Sequence, residues 1–162
     1  MNVAIIPARG GSKRIPRKNV KDFYGKPMIA WSIEAAKASG CFDKIIVSTD
    51  DPEIADIARQ FGAEIPFMRP AALSDDYTGT IPVIRHAVEW LNQNDAPVDY
   101  ACCIYATAPF ILPEDLKQGL QLIKNSGSSY AFSVTSYAFP IQRAVRITKN
   151  GRVAMFNPEH FQ

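Results

Sequence analysis

At 162 residues and 47% hydrophobic, the chain is long enough for one globular domain with a sizeable core and too apolar for a disordered or fibrous protein. Its formal net charge is only +2, yet Arg9, Lys13, Arg14, Arg17, Lys18, Lys21 and Lys26 stand against a single acid, Asp22, while the remainder carries more acids than bases. One short segment thus holds the positive field, which suits a compact polyanion better than the broad basic face of a nucleic-acid binder.

Val3 to Ile6 is a continuous apolar run, as in a strand buried on both faces, and Pro7 closes it. A polar loop follows to about Lys26. Pro27 suits the first turn of a helix that carries Ile29, Ile33 and Ala36 on one stripe and stops at Gly40. Lys44 to Thr49 is a second buried strand. Asp50 or Asp51 can cap the next helix, with Pro52 at its start and Ile54, Ile57, Ala58 and Phe61 inward. Glu64 to Phe67 is expected as a short third strand, and 68–80 as a loop rich in Pro, Asp, Ser and Thr. A long helix is expected from Ile81 to Asn94, with Ile84, Ala87, Val88 and Leu91 inward. Asp99 to Tyr105 is an apolar fourth strand, Pro113 opens a helix bearing Leu116, Leu120 and Ile123, and Tyr130 to Val134 is expected as a fifth strand. Lys149-Asn150-Gly151 is a turn between two further strands, Ala144 to Ile147 and Arg152 to Phe156, which reads as a hairpin.

Strands alternating with helices imply an α/β fold with a mostly parallel sheet, covered on both faces. The chain reads as a single domain over 1–162. Ligands of such sheets bind beyond the carboxyl ends of the strands, where the basic loop leaves the first one. The segment Asn157 to Gln162 carries no stop signal, so the chain is expected to break off within a longer fold.

Cys41, Cys102 and Cys103 have no zinc spacing and read as buried free thiols in a reducing compartment. No apolar run approaches the ~20 residues that span a bilayer, and no signal peptide is evident. The expectation is a cytoplasmic protein without membrane or nucleic-acid partners.

The chemistry concentrates in Ala8-Arg9-Gly10-Gly11-Ser12-Lys13-Arg14-Ile15-Pro16-Arg17-Lys18-Asn19. Two glycines let backbone N–H groups approach an anion, Ser12 offers a hydroxyl, Arg9 can grip phosphate through two hydrogen bonds, and Lys13 and Lys18 are point charges. The spacing fits neither a P-loop nor a dinucleotide fingerprint.

IPARGGSKRIPRKN at residues 6–19 resembles the signature of the CMP-sialic acid synthetases and related sugar nucleotidyltransferases. GKPMIAWSIEAA (25–36), VSTDDPEIADIA (47–58), RPAALSDD (69–76) and ATAPF (106–110) follow in that family's order, and the variants sit nearest to its pseudaminic acid branch. The resemblance implies the Rossmann-like nucleotide-diphospho-sugar transferase fold. It also implies attack of a nine-carbon keto sugar acid on CTP, giving CMP-sugar and pyrophosphate. By that resemblance Ala8, Arg9, Gly10, Gly11, Ser12, Lys13, Lys18 and Asn19 would bind the nucleotide, with Arg9 and Lys18 also catalytic. Arg69 and Thr80 would lie near the nucleotide; a surface salt bridge and a helix N-cap are their competing readings. Ala106 stands where sialic acid enzymes have glutamine, which points to a differently substituted sugar, and Thr107 is a further substrate contact. Arg143, with Arg146 as rival, would pair with the sugar carboxylate. Asp50 and Asp51 read as helix caps rather than metal ligands, and His86 as structural. The resemblance further implies Mg2+, with aspartate ligands expected beyond Gln162, and a homodimer for the full-length protein. A Kdo-activating relative or a non-catalytic nucleotide-binding fragment are the alternatives.

Overall fold

A computed structural model describes residues 1–136 and 138–160; Tyr137, Phe161 and Gln162, including the first residue of the Tyr137 to Arg143 motif, lie outside the described residues. The chain divides into two compact units, Met1–Ala131 and Phe132–Gln162.

The first unit is built on a three-stranded parallel sheet. Strand β1 (Asn2–Pro7) is central. A two-residue hairpin, β2 (Asp22–Phe23) and β3 (Lys26–Pro27), precedes helix α1 (Met28–Ser39). Strand β4 (Lys44–Ser48), helix α2 (Pro52–Gln60), helix α3 (Thr80–Asn94), strand β5 (Tyr100–Cys103) and helix α4 (Pro113–Ser126) follow. The strand order is β4-β1-β5, with Val3 paired to Lys44 on one side and to Ala101 on the other.

The alternation of β1 sends its side chains to two cores. Ala4 and Ile6 pack with Ile29, Ile33 and Ala36 of α1 and with Ile54 and Ala58 of α2. Val3 and Ile5 pack with Ala87 and Leu91 of α3. All four β1 residues have no exposed surface, which is why this strand reads as an unbroken apolar run. The expected helices on both faces are present.

Several boundaries differ from expectation. Pro7 lies within β1, and the ladder runs one residue further, because the Ala8 N–H donates to the Ser48 carbonyl at 3.0 Å. The "polar loop" contains the β2–β3 hairpin, whose turn residues Tyr24 and Gly25 both have positive φ, 53° and 88°. Tyr-Gly is not a standard hairpin signal, so the sequence hid it. Glu64 to Phe67 shrinks to one bridge, Ile46 with Glu64, since Pro66 has no N–H to extend a ladder. Tyr130 to Val134 forms no strand; Tyr130, Phe132 and Val134 are more than 80% exposed, so no sheet neighbour covers them. β5 is an edge strand with alternating rather than continuous burial. The cysteines are free, as expected, but not fully buried: Cys41 and Cys102 are half-buried and Cys103 is exposed. Burial pushes the Cys102 thiol up to about 11, favouring the protonated form near neutral pH.

The second unit carries the expected hairpin, β6 (Val145–Ile147) with β7 (Val153–Met155), paired antiparallel from Val145–Met155 to Ile147–Val153. Gly151 at φ 71° closes the turn. No helix among the described residues is long and apolar enough to cross a membrane.

Candidate functional site

The basic loop leaves β1 at its carboxyl end and is joined to helix α1 through Asn19. Asn19 is buried; its side-chain amide donates to the Arg9 carbonyl at 2.9 Å and its own carbonyl accepts the Ile29 N–H. The loop is thereby closed across its base. Its far side is tied to the Asp50-Asp51 pair that follows β4. The Gly10 N–H donates to Asp50 Oδ1 at 3.0 Å. Arg17, at φ 55°, donates to both oxygens of Asp51, at 2.5 and 3.2 Å, and also to Glu53.

Between these anchors a cavity of about 370 Å³ opens, within the range of small-ligand sites. Its walls are Pro7, Arg9, Ser12, Lys13, Arg14, Lys18, Asn19, Asp76, Tyr105, Ala106 and Thr107. Four cations therefore share the cavity with one carboxylate. That carboxylate, Asp76, is bound by Lys13 and by Arg9 at 2.9 Å, while Arg9 also donates to the Asp75 carbonyl at 2.5 Å. Lys13 foremost, then Arg9, holds the Asp76 carboxyl below its ordinary pKa. Lys18 is half-buried and has no carboxylate partner among the described residues.

The structure brings together Arg9, Ser12, Lys13, Lys18, Asn19, Ala106 and Thr107 from the sequence reading. Ala8 lies just behind them, in the core. The two glycines differ in role. A Cβ on Gly10 would stand 2.4 Å from Asp51 Oδ2, so only glycine fits there. A Cβ on Gly11 would meet nothing within 4 Å. Ala106 lines the cavity yet packs in the core cluster with Ile6 and Ile33.

Arg69 and Thr80 do not line the cavity. Arg69 is 6% exposed and turns inward: its guanidinium pairs with Asp50 at 3.3 Å and donates to the Ser74 hydroxyl at 3.2 Å. Burial pulls its pKa down, and Asp50 opposes that shift. The salt bridge is thus present, but it is buried rather than on the surface. Thr80 is the first residue of α3, with Gly79 as the N-cap, and its hydroxyl lies 3.2 Å from the Tyr105 hydroxyl. Asp51 caps α2 by accepting the Ile54 N–H at 3.1 Å. His86 packs edge-on against Phe67, with ring centroids 4.7 Å apart.

Arg143 belongs to the second unit, in the 3-10 turn Ile141–Arg143, where it borders an open cavity with Pro140, Gln142, Glu159 and His160. Its rival Arg146 lies on β6 with its guanidinium 5.7 Å from the Phe156 ring. Sequence reasoning missed Asp76, Arg14 and Tyr105 as cavity walls. Asp76 meets Lys13 across 63 residues, and no local pattern carries that pairing.

Among the described residues no three carboxylate, histidine or cysteine side chains gather as a metal site. The single carboxylate of the cavity is already held by two cations. The described residues therefore supply no ligand set for the magnesium that the resemblance implies, whose aspartates are expected beyond Gln162.

The family model for cytidylyltransferases matches residues 3–156. The chain is 46% identical over 161 residues to pseudaminic acid cytidylyltransferase of Campylobacter jejuni subsp. jejuni serotype O:2, covering 99% of this chain and 69% of the relative. It is 36% identical to CMP-N,N'-diacetyllegionaminic acid synthase of Legionella pneumophila subsp. pneumophila, covering 99% and 68%. Among solved structures it is similar to a CMP:2-keto-3-deoxy-manno-octonic acid synthetase complexed with CTP, with a TM-score of 0.63 and 29% identity over 78% of this chain. The chain spans 48% of that synthetase's length.

Proposed function

The chain belongs to the cytidylyltransferase family, and from that premise we propose that it transfers the cytidylyl group of CTP to a nonulosonic acid, pseudaminic acid being the first choice. The observation that carries this reading is the cavity at the carboxyl end of β1, where Arg9, Lys13, Arg14 and Lys18 converge with one carboxylate between them. Such a site binds a compact polyanion and repels little of it. The sugar choice rests on the similarity to the C. jejuni relative and on Ala106, whose side chain offers no hydrogen bond to a sugar.

In the proposed reaction the sugar's anomeric oxygen bonds to the α-phosphorus of CTP. The bond from that phosphorus to the bridging oxygen breaks, pyrophosphate leaves with the electron pair, and the hydroxyl proton goes to solvent. The protein's part is to position the groups and neutralise charge. Arg9 and Lys18 are assigned to the charge growing on the leaving pyrophosphate, and Ser12 and Lys13 to the phosphate oxygens. Asp76 holds Arg9 and Lys13 in the free protein and gives them up to phosphate when the nucleotide binds. Thr107, which lines the same cavity, is assigned to the sugar, and Arg143 to the sugar carboxylate. Three unpaired cysteines support a reducing, cytoplasmic setting.

The test is pyrophosphate release from CTP with pseudaminic acid, N-acetylneuraminic acid and Kdo in parallel. Release with pseudaminic acid supports the reading. Release with Kdo alone overturns the sugar assignment, and CTP binding without release from any acid overturns turnover by this chain.

A further inference from the structure

Among the contacts that tie the basic loop to the rest of the first unit, one joins its backbone to a buried ion pair. Asp50 Oδ1 accepts two donors at once, the Gly10 N–H at 3.0 Å and the Arg69 guanidinium at 3.3 Å. The Arg69 side chain is 4% exposed, and it is fixed in turn by Ser74 at 3.2 Å and by its own N–H on the Thr49 carbonyl at 2.7 Å. Gly10 is pressed so closely on the neighbouring Asp51 that no Cβ fits. Arg9, adjacent in the chain, then has its guanidinium in the cavity.

We propose that Asp50, held by the buried Arg69, is the positioning residue of the triphosphate loop: by accepting the Gly10 N–H it sets the direction in which Arg9 enters the cavity. This rests on the triphosphate reading of that cavity. It also gives Arg69 a place behind the loop rather than against the nucleotide. A buried guanidinium is suited to this because its rigid fork keeps the carboxylate in one orientation.

The geometry makes a sharp test. One oxygen takes both donors, so Asp50→Asn keeps an acceptor in place and loses only the charge, whereas Asp50→Ala loses the acceptor. CTP affinity by calorimetry, thermal midpoint and the Gly10 amide resonance are measured in both. Asp50→Ala is expected to weaken CTP by about tenfold or more and to shift the Gly10 amide upfield, the loss of one charged hydrogen bond being of that size. Asp50→Asn is expected to stay within about threefold of the parent and to keep the Gly10 resonance, because its acceptor remains. Equal losses in the two variants, or an unmoved Gly10 amide in Asp50→Ala, would overturn the proposal. If the parent protein binds no CTP, the functional reading fails, and the Gly10 amide alone still decides whether Asp50 sets the loop.

Discussion

Removing Lys18 and removing Arg9 are expected to have unequal effects on CTP binding. Both side chains line the same cavity, but their free states differ. Arg9 already holds Asp76 at 2.9 Å and the Asp75 carbonyl at 2.5 Å, so phosphate binding must replace contacts that exist. Lys18 is half-buried and gives up no carboxylate among the described residues. A hydrogen bond to a charged group is worth about 1.5–3 kcal/mol, so Lys18→Ala is expected to raise the Kd for CTP roughly 12- to 150-fold. Arg9→Ala loses the same kind of bond less the contacts it surrenders, and is expected to raise it by about three- to tenfold. Calorimetric titration of CTP without sugar, at one fixed ionic strength, reads both numbers directly. A larger loss in Arg9→Ala than in Lys18→Ala, or no loss in either, would refute the reasoning from the free-state contacts.

Gly10→Ala and Gly11→Ala form a matched pair. The first is expected to weaken CTP strongly, since its Cβ would strike Asp51, which is pinned by Arg17 and the Ile54 N–H; the second should bind as the parent does. Calorimetry on both variants checks this. Acid stability is the other expectation. Arg17 holds the Asp51 carboxyl below its ordinary pKa, so the stabilisation is fully present above about pH 4 and is lost as pH falls through the lowered folded value. Asp51→Asn keeps a good helix cap but not that charge, and its urea midpoint should fall less steeply than the parent's through this window.

The apolar runs of β1 and β4, the helix stop at Gly40, and the Asn-Gly hairpin were legible because each is set by neighbours in the chain. The basic loop was legible for a related reason: seven cations within eighteen residues make a field wherever they fold. The fifth strand and the third were misread because strand formation needs a partner ladder, and Tyr130 to Val134 has none while Pro66 interrupts the other. The cavity's own membership was only half visible. Arg9, Lys13 and Lys18 stand out in the sequence, but Asp76 and Tyr105 reach them from distant segments.

By itself, the sequence determined that one strongly basic loop follows a doubly buried strand, since local composition and the period of burial are enough to say so. Only the tertiary structure decided which of its groups are available. It gave the Gly10 N–H to Asp50, turned Arg69 inward to hold that carboxylate, and set Asp76 against two of the cations while leaving Lys18 without one. Those assignments depend on distance in space between residues 19 to 67 positions apart, a quantity that no pattern along the chain encodes.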